Sequence, residues 1–93
     1  MAVIRQRFNG GWQNKMYVYI LESKKCNRLY IGFTEDVATR LKQHNRGENR
    51  STKAYRPWKL VRVEEYKDRA LAFKREKFFK TGKGRNVIKN LLK

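Results

Sequence analysis

The sequence predicts an α+β domain, a small and mainly antiparallel three-stranded sheet flanked by helices, in the order strand, strand, helix, strand, helix, helix. Three observations carry that prediction. Met16 to Leu21 and Leu29 to Phe33 are β-prone runs separated by a short polar stretch. Trp58 to Tyr66 resumes the same pattern with Leu60, Val61 and Val63. The segments after the second and third runs open on capping residues and continue with helical spacing. No internal repeat or long linker appears, so one domain is expected over residues 16–92, preceded by a basic arm over residues 1–15.

That arm holds three basic residues, no acid and an Asn9-Gly10-Gly11 turn, and reads as irregular. The next two runs read as a hairpin. If its turn centres between Lys24 and Lys25, Tyr19 lies opposite Tyr30 on one sheet face, with Cβ atoms on the order of 5 Å apart. Lys-Lys is not a favoured two-residue turn, and a loop of four or five residues shifts this register. Thr34 can cap a helix near Asp36 to Arg46 whose first turn carries Glu35 and Asp36, with Gly47 as a left-handed stop. On it, Val37 and Leu41 form an inner pair four apart, and Arg40 and His44 a second pair beside them. A basic Gly/Asn/Ser loop over residues 47–57 leads to the third strand. Asp68 then caps a helix running to a Thr81-Gly82 stop, and Val87, Ile88, Leu91 and Leu92 mark a short terminal helix.

Charge narrows the function. The 93 residues carry 24 Lys plus Arg against 8 Asp plus Glu, a net +16. Solubility of a small domain needs a net charge of only about 2 to 8, so the excess implies a polyanionic partner. Between Arg40 and Lys59 stand seven basic residues and one acid, and Lys42, Arg46, Arg50, Lys53 and Arg56, with Lys80 further on, are candidate phosphate contacts. Tyr55, Trp58, Phe78 and Phe79 are interleaved and chemically able to stack on bases, but aromatic residues at such spacing are core more often than platform, and Phe78 and Phe79 are assigned to the core. No run approaches the ~20 apolar residues of a membrane span, and no helix combines a basic face with a broad apolar one. The single cysteine, Cys26, has no partner for a disulfide or a zinc site, which points to a reducing, cytoplasmic setting.

From Arg69 to the end, Glu76 is the only acid, and it stands among Lys74, Arg75 and Lys77. It can pair with Lys80 four residues on, for about 0.2 to 0.5 kcal/mol, or it can ligate a metal. Hydrated Mg²⁺ needs as few as one or two protein carboxylates when phosphate supplies other contacts. Arg40 suits bidentate phosphate binding, and His44 suits a hydrogen bond to phosphate or a proton transfer. A tyrosine, Tyr19 or Tyr30, becomes a useful base only where positive charge favours the phenolate, as Arg40 and a metal on Glu76 would.

Taken together, these residues resemble the GIY-YIG nuclease superfamily. Tyr30-Ile31-Gly32 matches its second motif in full, while Tyr17-Val18-Tyr19 keeps only the tyrosine of the first, as in a small single-domain branch related to the nuclease module of the excision-repair incision subunit. The resemblance continues through Thr39-Arg40-Leu41-Lys42-Gln43-His44-Asn45, around the family's helix arginine, and Ala72-Phe73-Lys74-Arg75-Glu76, with its metal-binding glutamate; it covers about Met16 to Leu92. It implies three antiparallel strands flanked by helices and metal-dependent phosphodiester hydrolysis. By position, Glu76 would hold Mg²⁺ or Mn²⁺, Arg40 would stabilise charge on the phosphate, and Tyr19, the favoured base, or Tyr30 would help activate water. His44 would serve as a phosphate contact or alternative proton acceptor, and Gly32 would allow close approach of the chain.

The reading is therefore a stand-alone cytoplasmic endonuclease acting on DNA, on branched or damaged structures in a repair or recombination role. Its rivals are a non-catalytic binder of DNA or RNA and a protein-interaction module. Related nucleases take substrate choice from an attached domain. A chain this short leaves no room for one, so three alternatives stand: a single-stranded substrate, a branched one, or one supplied by a protein partner.

Overall fold

A computed structural model of the chain describes residues 6–8, 11–13 and 15–93. Strands β1 (Gln6–Phe8) and β2 (Gly11–Gln13) pair antiparallel as a ribbon separate from the main sheet. The arm read as irregular thus contains two short paired strands; the Asn9-Gly10 step of the expected turn lies outside the described residues.

The main sheet has the predicted three strands, β3 (Met16–Ser23), β4 (Leu29–Thr34) and β5 (Trp58–Tyr66), in the order β4-β3-β5 and antiparallel throughout. Helix α1 (Val37–Arg46) and a 3₁₀ turn (Lys53–Tyr55) lie between β4 and β5, and α2 (Arg69–Phe79) and α3 (Gly82–Leu91) close the chain. The central strand is covered on both faces, which explains its near-continuous apolar sequence. Met16, Val18 and Ile20 pack with Ala72 and Phe79 of α2 and Ile88 of α3. On the other face Tyr19 and Leu21 pack with Val37 of α1 and with Trp58. The assignment of Phe79 to the core holds and Phe78 lies half-buried against it, whereas Trp58 is buried and offers no stacking face.

Two local expectations are corrected. Tyr19 lies opposite Gly32, and Tyr30 opposite Leu21, two residues away from the predicted pairing. The cause is the Ser23 hydroxyl, which accepts from the backbone N–H groups of Lys25 (3.0 Å) and Cys26 (3.3 Å), while Ser23 N–H donates to Arg28 O (2.9 Å). This serine-anchored loop is longer than a two-residue turn and moves the register. Because the shift is even, Tyr19 and Tyr30 stay on one face.

At α1 the cap is Asp36 rather than Thr34. The Asp36 carboxylate accepts from Thr39 N–H (3.0 Å) and Thr39 Oγ1 (2.7 Å), while Thr34 still belongs to β4 and accepts from Asp36 N–H. Gly47 ends the helix as predicted, at φ 80°. Asp68 caps α2 as predicted, through Leu71 N–H. Thr81 follows the end of α2 as expected and also starts α3: its hydroxyl donates to Phe78 O (2.6 Å) and accepts from Gly84 N–H (3.0 Å), so one side chain ends one helix and opens the next.

Candidate active site

Tyr19 projects from the middle of β3 and is almost fully buried. A Cβ built on Gly32, directly across on the edge strand, would come within 2.5 Å of the Tyr19 hydroxyl oxygen, so only glycine leaves room for the phenol to reach the sheet edge. The predicted convergence of the two tyrosines holds by a diagonal rather than a direct pairing, with ring centroids 6.2 Å apart.

His44 is drawn inward from α1 and is 0% exposed. Its ring lies 4.7 Å from that of Tyr30, and its Nε2 is 3.1 Å from the Tyr19 hydroxyl. Its other nitrogen, Nδ1, is 2.8 Å from Thr52 Oγ1, which donates its own proton to Asn49 O at 3.3 Å. With that proton committed, Thr52 accepts from His44 Nδ1–H, and the neutral ring presents Nε2 as the acceptor of the Tyr19 proton. Burial, with the Arg40 guanidinium nearby, pushes the His44 pKa below its ordinary value and keeps this neutral form.

The sequence reading expects positive charge to favour a Tyr19 phenolate. Arg40 does act in that direction, but burial outweighs it, and Tyr30 and the Glu76 carboxylate add to burial, so the pKa is strongly raised. Tyr19 therefore keeps its proton at neutral pH unless an acceptor takes it. Arg40 of α1 and Glu76 of α2 both lie within electrostatic range of this phenol. Tyr19, Tyr30 and His44 thus meet beside Gly32 of β4, with Arg40 and Glu76 within electrostatic range of the Tyr19 hydroxyl.

Glu76 has the expected i,i+4 partner, but loosely. Lys80 Nζ is 3.8 Å away, beyond hydrogen-bond range, and the Glu76 side chain retains 14% exposure. Among the described residues no group of three or more His, Cys, Asp and Glu could hold a metal, so an all-protein cage is absent from them. A lone, lightly held carboxylate beside cationic groups fits a hydrated divalent ion that completes its contacts with water and phosphate.

The candidate phosphate contacts divide. Arg50 lines a trough of ~410 Å³ with Arg40, Gln43 and Asn49, and a second of the same size with Lys25, Lys53 and Arg56. Lys80 stands at the site itself. Lys42 is exposed on α1, and Arg46 is exposed there but paired with Glu48 at 3.4 Å. Sequence reasoning missed Thr52, which settles the His44 tautomer. Its only signal was one hydroxyl in a loop rich in small polar residues, and the loop's closure over α1 is a tertiary event.

Among the described residues no helix is long and apolar enough to cross a membrane. The GIY-YIG catalytic domain family matches residues 15–89 of the chain. UPF0213 proteins of Staphylococcus aureus strains Mu3 and Mu50 are 43% identical over 68 residues, covering 70% of this chain and 79% of theirs. The solution NMR structure of the UPF0213 protein BH0048 from Bacillus halodurans superposes with a TM-score of 0.52 at 30% identity, over 83% of this chain and 84% of that one. A sheet whose edge glycine admits a buried tyrosine, an arginine on the first helix and a glutamate on the second are carried by a chain that belongs to the GIY-YIG family, a nuclease superfamily.

Proposed function

We propose that this chain is a divalent-metal-dependent endonuclease that hydrolyses phosphodiester bonds in DNA, on branched or damaged structures in a repair or recombination role. The observation that supports the reading is the Tyr19–His44 contact at 3.1 Å, with Arg40 and Glu76 within electrostatic range of the same phenol, in a chain of net charge +16. Glu76 is the residue that would hold Mg²⁺ or Mn²⁺, and such an ion, when bound, neutralises charge developing on the phosphate. Arg40 holds phosphate oxygens through its guanidinium fork. Tyr19 takes a proton from the attacking water as it passes its own to His44 Nε2. The 3.1 Å contact between the Tyr19 hydroxyl and His44 Nε2 supplies the path for this proton. The water oxygen bonds to phosphorus, the scissile P–O bond breaks, and the leaving oxygen is protonated from solvent. Tyr30, ring against His44, orients water or phosphate. A cytoplasmic setting and a protein partner that supplies substrate choice belong to the same proposal, the first supported by the exposed, lone Cys26 thiol.

The test is incubation of wild-type and Glu76→Ala protein with linear, flapped, forked and single-stranded DNA, and with RNA, plus Mg²⁺ or Mn²⁺. Wild type should cleave and Glu76→Ala should not, while Glu76→Ala binds as well or more tightly because a negative charge has left a cationic surface. A pure wild-type protein that cuts none of these would leave a non-catalytic nucleic-acid binder.

A further inference from the structure

On the side of Tyr30 away from α1, the sheet edge opens into a groove of ~530 Å³ between β4 and α3. Leu29 and Ile88 contribute an apolar floor, and Arg28, Lys80, Arg85 and Lys89 supply cations along it. Leu29 is one of three large hydrophobic residues exposed among the described residues, at 38%. Arg85 and Lys89 stand four apart on α3, a like-charge spacing that disfavours an isolated helix. Neither has an ion-pair partner among the described residues. The groove runs into the site, because Tyr30 lines it and Lys80 reaches from it to Glu76.

We infer that the β4–α3 groove binds an unpaired nucleic-acid strand on one side of the scissile phosphate, with Arg85 and Lys89 on its phosphates and Leu29 against its bases. Charge complementarity selects a polyanion, and the apolar floor selects its state. A duplex keeps its bases stacked inside and offers a protein surface mainly phosphate and sugar, whereas a single strand exposes base faces that favour an apolar support between cations. The trough beyond Arg40, lined also by Gln43, Glu48, Asn49 and Arg50, has no apolar side chain in its lining, and that of Lys25, Arg50, Lys53 and Arg56 has only Ala54. The assignment rests on the nuclease reading only for the strand's continuation into the site, and its test reads binding.

Anisotropy titrations of fluorescein-labelled oligothymidylate and of a blunt duplex, without divalent metal and over a salt series, compare wild type with Arg85→Ala/Lys89→Ala. The variant should lose roughly tenfold in single-strand affinity, with a salt slope shallower by about 1.4 for two lost contacts, and lose distinctly less on the duplex. Arg85→Lys/Lys89→Arg should restore single-strand binding, and circular dichroism melting should confirm that all variants fold. Unchanged single-strand affinity, or an equal loss on duplex, overturns the assignment. The outcomes separate cleanly from cleavage: a wild type that binds the strand through these residues but cuts nothing defeats the nuclease reading alone, and a wild type that cuts while the variant binds normally defeats the groove alone.

Discussion

The Tyr19 hydroxyl is held between His44 Nε2 and the Gly32 backbone that leaves it space, and the proposed relay needs both. Tyr19→Phe keeps the ring in the core but removes the relay. Cleavage should fall by about 10²- to 10⁴-fold with nucleic-acid affinity unchanged, as paired cleavage and binding assays would show. Thr52 acts one step back, through His44 Nδ1–H. Thr52→Val retains shape but leaves that buried N–H without an acceptor, which should cost about 1–3 kcal/mol in urea unfolding, while Thr52→Ser restores most of it. Equal stability of the Val and Ser variants would refute the assigned tautomer. None of this is readable from His44 and Thr52 as letters eight residues apart.

The elements are clamped by a second polar cluster, away from the site. Glu64 on β5 accepts from Arg75 Nε (2.8 Å) and from Arg75 of α2 again at 3.2 Å, from Arg62 Nε (2.9 Å) and from the Tyr66 hydroxyl (2.7 Å). Burial by itself would raise its pKa, but these donors hold the carboxyl down at about 2, against an ordinary 4.5. Because the folded pKa is the lower one, the unfolded chain takes up the proton first on acidification. The clamp therefore contributes its full stability above pH 4.5 and loses it progressively toward pH 2. Glu64→Gln should lower the melting temperature at neutral pH and flatten its decline across that window. A variant whose melting curve follows wild type through acid would show that the cluster is stability-neutral. Since Arg75 precedes Glu76 on α2, the same clamp fixes the helix that carries the carboxylate. Gly84 governs the neighbouring joint: a Cβ there would collide with the Phe78 carbonyl, so Gly84→Ala must shift α3 off the end of α2. A loss of about 1–3 kcal/mol is expected by thermal or urea unfolding, although alanine favours a helix interior over glycine.

At the scale of the molecule, the net +16 makes nucleic-acid affinity a matter of counterion release. On duplex, log affinity should fall linearly with log salt at about −0.9 per phosphate contacted, and a slope near zero in a titration series would remove nucleic acid as the partner. That charge, the three main strands, the three helices and the caps at Asp68 and Gly47 were legible along the chain because each depends on composition or on residues within a turn or two. The family itself was legible, because the Tyr30-Ile31-Gly32 motif and the residues around Arg40 and Glu76 carry the resemblance along the chain. Other features required distant groups to meet. Ser23 moved the hairpin register by two, burial overrode Arg40 at Tyr19, the loop after α1 put Thr52 behind His44, and α3 swung against β4 to form the cationic groove. Hydrogen-bond geometry and desolvation are set by neighbours in space, so these waited on the closed fold, whereas periodicity, capping and net charge are carried by neighbours in the chain.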